Sequence, residues 1–74
     1  MSKFNLGDKV AFEGFTADGR DECWIEGTVT KVDGMGCVRV QHGIRKEWDA
    51  QRRYNVVTDM GRLEYKYDHE LIPR

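Results

Sequence analysis

The stretch RYNVVTDMGRLEYKY, residues 53–67, carries the clearest structural pattern in the chain. Polar and apolar side chains alternate on both sides of Met60 and Gly61, which is the period of two expected of β-strands. Gly61 can adopt the positive φ that a tight two-residue turn requires. With these two residues at the centre of the turn, the pairs on one shared face would be Val56–Tyr65 and Tyr54–Tyr67. The stretch therefore predicts a hairpin with an apolar and aromatic ladder.

Three more strands are predicted upstream, over residues 8–15, 22–32 and 37–42. Residues 33–36, DGMG, predict a tight turn between the second and third of them. Residues 43–52, GIRKEWDAQR, show no alternation. We interpret this last segment as a long loop or as one to two helical turns, in the position where a small β-domain tends to place function.

Two local features refine this outline. Gly27 lies inside the second strand, where a glycine indicates a bulge, a bend or a close backbone approach. After the final hairpin, residues 68–71 predict one helical or 3₁₀ turn capped by Asp68. Leu71 and Ile72 would then close the open end of the core. A chain of 74 residues is one domain at most, and its core is thin.

Three segments, LGDKVAF (6–12), WIEGTVTKV (24–32) and residues 54–73, together resemble the SH3-like barrels of the Tudor type. Such barrels occur among short bacterial and bacteriophage accessory proteins. The resemblance implies an all-β, five-stranded SH3-like barrel that occupies residues 1–74 as a single domain, with one long loop and a short C-terminal helical turn. It also implies a small accessory protein that modulates or inhibits a host complex through protein–protein interaction.

Tudor-type barrels that bind methylated side chains use an aromatic cage at one rim. The aromatic residues that could contribute to a cage of this kind are Phe15, Trp24, Trp48, Tyr54 and Tyr67. The alternative for Trp24 is that it packs under the first loop, residues 16–21, as a satellite of the core.

Composition and charge limit the expected location of the protein and the character of its surface. The chain has a net charge of −1 and no long apolar run, so we expect no membrane span. Its N-terminus has no secretory h-region, which favours a cytoplasmic location. In that compartment Cys23 and Cys37 are expected to be reduced thiols. Residues 1–37 carry a net charge of −3 and residues 38–74 a net charge of +2, so the surface is expected to be dipolar.

No motif in the sequence predicts catalysis. His42 and His69 are the only histidines, and neither stands at a recognised spacing from a nucleophile. The cysteine spacing matches no zinc pattern, and no glycine-rich phosphate loop is present. We therefore predict a protein that is not an enzyme, with no catalytic residues, no metal and no cofactor.

The most basic segment is residues 39–53, with five basic and two acidic residues and a net charge of +3. Our first interpretation is a protein partner, because Trp and Arg are enriched at binding hot spots. The alternative is a nucleic-acid-binding barrel, because basic groups interleaved with aromatic ones suit single strands. Glu47 and Asp49 dilute the basic patch and weigh against this alternative. An open edge strand also favours a homodimer. The predicted partner-binding residues are Trp24, Arg45, Lys46, Trp48, Arg52, Arg53 and Tyr54.

Overall fold

The computed structural model describes residues 3–74 and shows one five-stranded antiparallel sheet. The strands are β1 (Lys9–Phe15), β2 (Glu22–His42), β3 (Arg45–Thr58), β4 (Leu63–Tyr67) and β5 (Ile72–Pro73). Their order in the sheet is β4-β3-β2-β1-β5. The prediction of an all-β domain is confirmed. The number of strands agrees, but the predicted strands 22–32 and 37–42 are one strand, β2, and β5 was not predicted as a strand. The sheet is not closed into a barrel, because β4 and β5 form its two edges and do not pair with each other.

The core lies on one side of the first three strands. Its buried members are Phe4, Val10, Phe12, Val29, Tyr54, Val56 and Leu71. Phe4 was not expected, because its surroundings show no alternation. Its ring packs edge-on against Tyr54 with the ring centroids 5.6 Å apart. The backbone N–H groups of Lys3 and Phe4 donate to the Tyr54 hydroxyl oxygen at 3.1 and 3.3 Å. The N-terminal segment is thereby fixed to the sheet.

The hairpin of β3 and β4 forms, but its predicted register is wrong by one residue. The structure pairs Asn55 with Tyr65 instead of Val56 with Tyr65. The turn is a three-residue loop, since the Thr58 N–H donates to the Arg62 carbonyl at 2.8 Å. The predicted aromatic ladder beside Val56 therefore does not exist, and Tyr65 lies on the outer face.

The predicted turn at 33–36 and the predicted loop at 43–52 are also wrong. β2 runs without a break through residues 33–36, with shifts of register between Val29 and Lys31 and between Val32 and Met35. β3 begins at Arg45, inside the predicted loop. The real turn is Gly43-Ile44, which joins the directly paired residues His42 and Arg45. Gly43 has a φ of +61° whereas Ile44 does not have a positive φ, which is the pattern of a type II′ turn.

Two arginines of β3, Arg52 and Arg53, hold the irregular part of β2, and we call their contacts with Asp33 the clamp. The guanidinium of Arg53 donates to the Asp33 carboxylate at 2.5 Å, and Arg52 Nη1 donates to the Asp33 carbonyl at 3.4 Å. On the same side, the Tyr67 ring lies so close to Gly36 that a Cβ there would be 3.2 Å from it. These contacts fix the point at which β2 and β3 leave the core.

The C-terminal turn matches its prediction except in its cap. A 3₁₀ turn spans Asp68–Glu70, and Leu71 behind it is buried as predicted. The cap is not the Asp68 side chain: the Tyr67 N–H donates to Glu70 Oε2 at 3.1 Å. Ile72 pairs with β1 and remains partly exposed, so only Leu71 closes the core.

Candidate functional site

The long hairpin of β2 and β3 extends beyond the core as a two-stranded arm. We define the arm as residues 37–50, whose pairs run from Cys37–Ala50 to His42–Arg45. Val38 is half-buried and Val40 is buried, and every other arm side chain is exposed. Side chains of directly paired residues point to the same side. The arm therefore has two faces, and the face that carries neither Val38 nor Val40 is fully exposed.

One face of the arm is cationic and aromatic. Arg39 lies directly opposite Trp48, and Gln41 lies opposite Lys46. Trp48 is 68% exposed, which is unusual for the largest apolar side chain. No carboxylate shares this side of the arm, because Glu47 and Asp49 alternate with its residues. We call this surface the cationic face and define it by Arg39, Gln41, Lys46 and Trp48.

The opposite face of the arm carries its acidic groups. Arg45 Nε lies 3.5 Å from Glu47 Oε1. The Asp49 carboxylate accepts a hydrogen bond from Gln51 Nε2 at 3.2 Å. Gln51 Oε1 in turn accepts from the His69 backbone N–H at 3.0 Å. The carboxylates that dilute the basic segment in the sequence are thus engaged on the other side of the arm.

The predicted partner-binding residues do not form one surface. Lys46 and Trp48 lie on the cationic face, whereas Arg45 lies on the opposite face. Tyr54 has no exposed area and belongs to the core, so it cannot contact a partner in this fold.

The remaining predicted residues are placed elsewhere. Arg52 and Arg53 are half-buried at the base of the arm and bind Asp33. Trp24 lies in the hairpin of β1 and β2, opposite Glu13, and is 51% exposed. It lines a groove together with Thr16 and Ala17 of the first loop and is not part of the buried core.

The clamp at the base of the arm is electrostatically favourable. Hydrogen bonding from Arg53, followed by that from the Gly34 N–H, lowers the pKa of Asp33. The same pair raises the pKa of Arg53. The Arg53 guanidinium also lies 5.2 Å from the centroid of the Tyr65 ring. Both charges therefore persist at neutral pH and keep the base of the arm in place.

The candidate aromatic cage does not assemble. Tyr54 is in the core, Tyr67 covers Gly36 and Trp48 is on the arm, so these rings do not converge. Phe15 and Trp24 share the outer face of the first hairpin.

Burial, followed by the neighbouring Asp68 carboxylate, raises the pKa of Tyr54, which keeps its hydroxyl neutral.

The histidines and cysteines are dispersed. His42 lies at the exposed end of the arm, and the ring Nδ1 of His69 is 2.7 Å from Gln51 Oε1. Cys23 and Cys37 are free thiols, one in the first hairpin and the other in the arm. Within residues 3–74, no three His, Cys, Asp or Glu side chains are placed to hold a metal ion.

Comparison of the chain with known proteins found no matching family model, no matching curated protein and no matching solved structure. In the described part of the chain, no helix is long and apolar enough to cross a membrane. The cationic face is therefore interpreted from its own residues.

Proposed function

We propose that this protein is a non-catalytic binding module that docks the cationic face of its arm on an acidic surface of a protein partner. The observation that carries the proposal is the exposed Trp48 beside Arg39 and Lys46, on a face without carboxylates. A Trp in such a position can fill an apolar pocket, and hot spots of this kind dominate binding energy. The neighbouring cations would steer the approach of an acidic partner.

The base of the arm supports this role. Arg53 and Asp33 fix the irregular part of β2 to β3, and their contact is half-buried. The arm therefore leaves the core in one direction, which lowers the conformational cost of presenting Trp48.

The test is capture of partners from a bacterial lysate with immobilised protein, followed by titration of the partner that is recovered. Trp48→Ala and Lys46→Glu should each weaken binding about tenfold or more, as expected for a hot spot and for a reversed charge. Arg45→Glu is the matched control, because it reverses a neighbouring charge on the opposite face of the arm. The proposal fails if Arg45→Glu and Lys46→Glu weaken binding equally, or if Trp48→Ala has no effect.

A second candidate function is binding of single-stranded nucleic acid. The observation in its favour is that Glu47 and Asp49 lie away from the cationic face, so they do not repel phosphates there. A base could stack on Trp48 while Arg39 and Lys46 contact phosphates. The overall charge of −1 weighs against a dedicated nucleic-acid module.

This candidate predicts a modest dependence on salt. Two neutralised phosphates would give a slope of log K against log salt of about −1.4 for a single strand. Titration of single- and double-stranded oligonucleotides at two salt concentrations measures that slope. A complete lack of binding at low salt removes the candidate, and binding that survives in Lys46→Glu with an unchanged slope also contradicts it.

We further propose that the open sheet is related to the SH3-like architecture and that the module acts as an accessory subunit of a larger bacterial or phage-host complex. Four successive antiparallel strands, a 3₁₀ turn and a fifth strand beside β1 support the first part. The second part follows from the resemblance of the sequence to short accessory proteins. Its test is the identity of the protein that depends on Trp48 for capture.

A further inference from the structure

A second candidate surface lies at the other end of the sheet from the arm. An open groove of about 660 Å³ runs between the first hairpin and the loop that joins β3 to β4. Its lining is mainly apolar, with Phe15, Trp24 and Met60 among the exposed side chains. Met60 is 92% exposed, so the groove is uncovered in the isolated chain. We call it the apolar groove.

The surroundings of the apolar groove are acidic. Glu13 pairs with Trp24 and Glu22 pairs with Phe15 across the first hairpin, so both carboxylates share the face of the two rings. Asp18 and Asp21 follow in the loop between these strands, which contains one basic residue, Arg20. Among residues 3–74, none of these four carboxylates forms an ion pair. The charged residues that line the groove itself are in ion pairs: Glu26 with Arg74, Asp59 with Lys9, and Arg62 with Glu64. In the described part of the chain, the unpaired negative charge lies beside the groove, at Glu13 and Glu22 next to Trp24.

The topology separates the groove from the arm of the same molecule. In an antiparallel meander, alternate turns lie at opposite ends of the sheet. The β1–β2 and β3–β4 turns are therefore at one end, and Gly43-Ile44 at the tip of the arm is at the other. The chain measures 32 × 29 × 17 Å, so the two surfaces are well separated. Contact between an arm and a groove would join two molecules.

We propose that the arm of one copy docks in the apolar groove of a second copy, head to tail. Trp48 would cover the apolar floor, while Arg39 and Lys46 would face Glu13 and Glu22 of the other molecule. The argument is charge complementarity: the cationic face has no carboxylate, and the β1–β2 hairpin that borders the groove has four carboxylates without an ion pair within residues 3–74, Glu13, Asp18, Asp21 and Glu22, against one basic residue, Arg20. Because the first copy keeps a free groove and the second copy keeps a free arm, the contact is heterologous and continues into a ring or an open chain.

This contact has a consequence for partner binding. It covers the same cationic face that the proposed function assigns to an acidic partner, so self-association and partner binding would compete. A partner with a more strongly acidic site would displace the second copy. The self-association can be confirmed or refuted without that partner, because its test needs only the purified protein.

Sedimentation velocity over a range of concentrations tests the proposal with two charge-reversed variants. The first is Arg39→Glu with Lys46→Glu, and the second is Glu13→Lys with Glu22→Lys. The wild type should associate increasingly with concentration and lose this association in 1 M salt, where the Debye length is about 3 Å. Each variant alone should remain monomeric, because its arm and groove then carry the same sign. An equal mixture of the two should associate again, because each reversed surface meets its complement.

Several outcomes would overturn the proposal. A wild type that remains monomeric at millimolar concentration excludes the contact. Association of either variant alone to the wild-type extent places the contact elsewhere, for example between two β4 edges. A mixture that remains monomeric shows that the arm and groove do not meet. Arg45→Glu is the control and should associate like the wild type, since it lies outside the cationic face. Circular dichroism of each variant shows whether the sheet is retained.

Discussion

Tyr54 links the N-terminal segment to the core through a single hydroxyl. Its oxygen accepts the N–H groups of Lys3 and Phe4, and the second of these bonds is buried. Tyr54→Phe leaves a buried N–H without a partner, so it should lower the free energy of unfolding by about 1–3 kcal/mol. Denaturant titration measures the loss, and amide exchange at Phe4 should accelerate.

Tyr65→Phe is the matched control, because Tyr65 lies on the exposed outer face of the sheet. It should change the free energy of unfolding by less than about 0.5 kcal/mol. Equal losses in the two variants would show that the hydroxyl of Tyr54 does not hold the N-terminal segment.

Asp33 should make stability depend on acid pH. Its pKa is lowered in the folded chain, first by hydrogen bonding from Arg53. A carboxylate with a lowered pKa stabilises the fold above its unfolded pKa, and that contribution disappears as the pH falls below about 4. Asp33→Asn should therefore weaken the fold at pH 7 and flatten the loss of stability between about pH 4 and pH 2. Thermal melts over this range measure the slope, with Asp21→Asn as an exposed control. An unchanged slope in Asp33→Asn would contradict the role of the clamp.

At the scale of elements, alternation predicted strands only where one face is buried. The hairpin of β3 and β4 was recognisable because Tyr54, Val56 and Thr58 are all buried at a period of two. The register of this hairpin could not be predicted, because a two-residue loop and a three-residue loop around Gly61 are both compatible with the alternation of polar and apolar residues. The first strand of the arm was predicted, because Val38 and Val40 alternate with exposed residues in the stretch 37–42. The second strand of the arm was missed, because residues 43–50 are exposed on both faces and selection for a buried face leaves no period in their sequence. The available signal was local: a glycine at the first central position of a two-residue turn.

Gly43 should be the residue on which the arm depends. Its φ of +61° is readily adopted by glycine, whereas an L-residue in the left-handed region costs roughly 1–2 kcal/mol. Gly43→Ala should open the arm locally, so amides of residues 38–49 would exchange faster and binding through Trp48 would weaken. The denaturant midpoint of the core should change little, because the arm makes few buried contacts. Gly34→Ala is the control, since that position is open and has no positive φ. Equal acceleration of arm exchange in both variants would refute the assignment of the turn.

At the scale of the whole molecule, the sequence indicated the strands but neither their closure nor their surfaces. Closure depends on the angles at which strands twist and bend, and these are set by the register shifts in β2 rather than by alternation. The candidate site was partly visible: Lys46 and Trp48 were selected for their residue types. Their separation from Glu47 and Asp49 required the knowledge that residues 45–50 are a strand, because successive side chains of a strand point to opposite faces. The position of Arg39 beside Trp48 required the pairing of β2 with β3.

The core and the arm should respond differently to glycine substitution, and Gly27 tests the core. It lies in β2 between β1 and β3, paired with Val10 and Thr58. A Cβ at this position would lie 2.7 Å from the Val57 carbonyl oxygen and 2.8 Å from Val56 Cγ1, so the close approach cannot accommodate it without backbone movement. Overpacking of this kind costs about 1–3 kcal/mol. Gly27→Ala should therefore lower the global denaturant midpoint and accelerate exchange throughout β1, β2 and β3, unlike Gly43→Ala. If Gly27→Ala melts like the wild type, β1, β2 and β3 do not pack at this distance at the centre of the sheet.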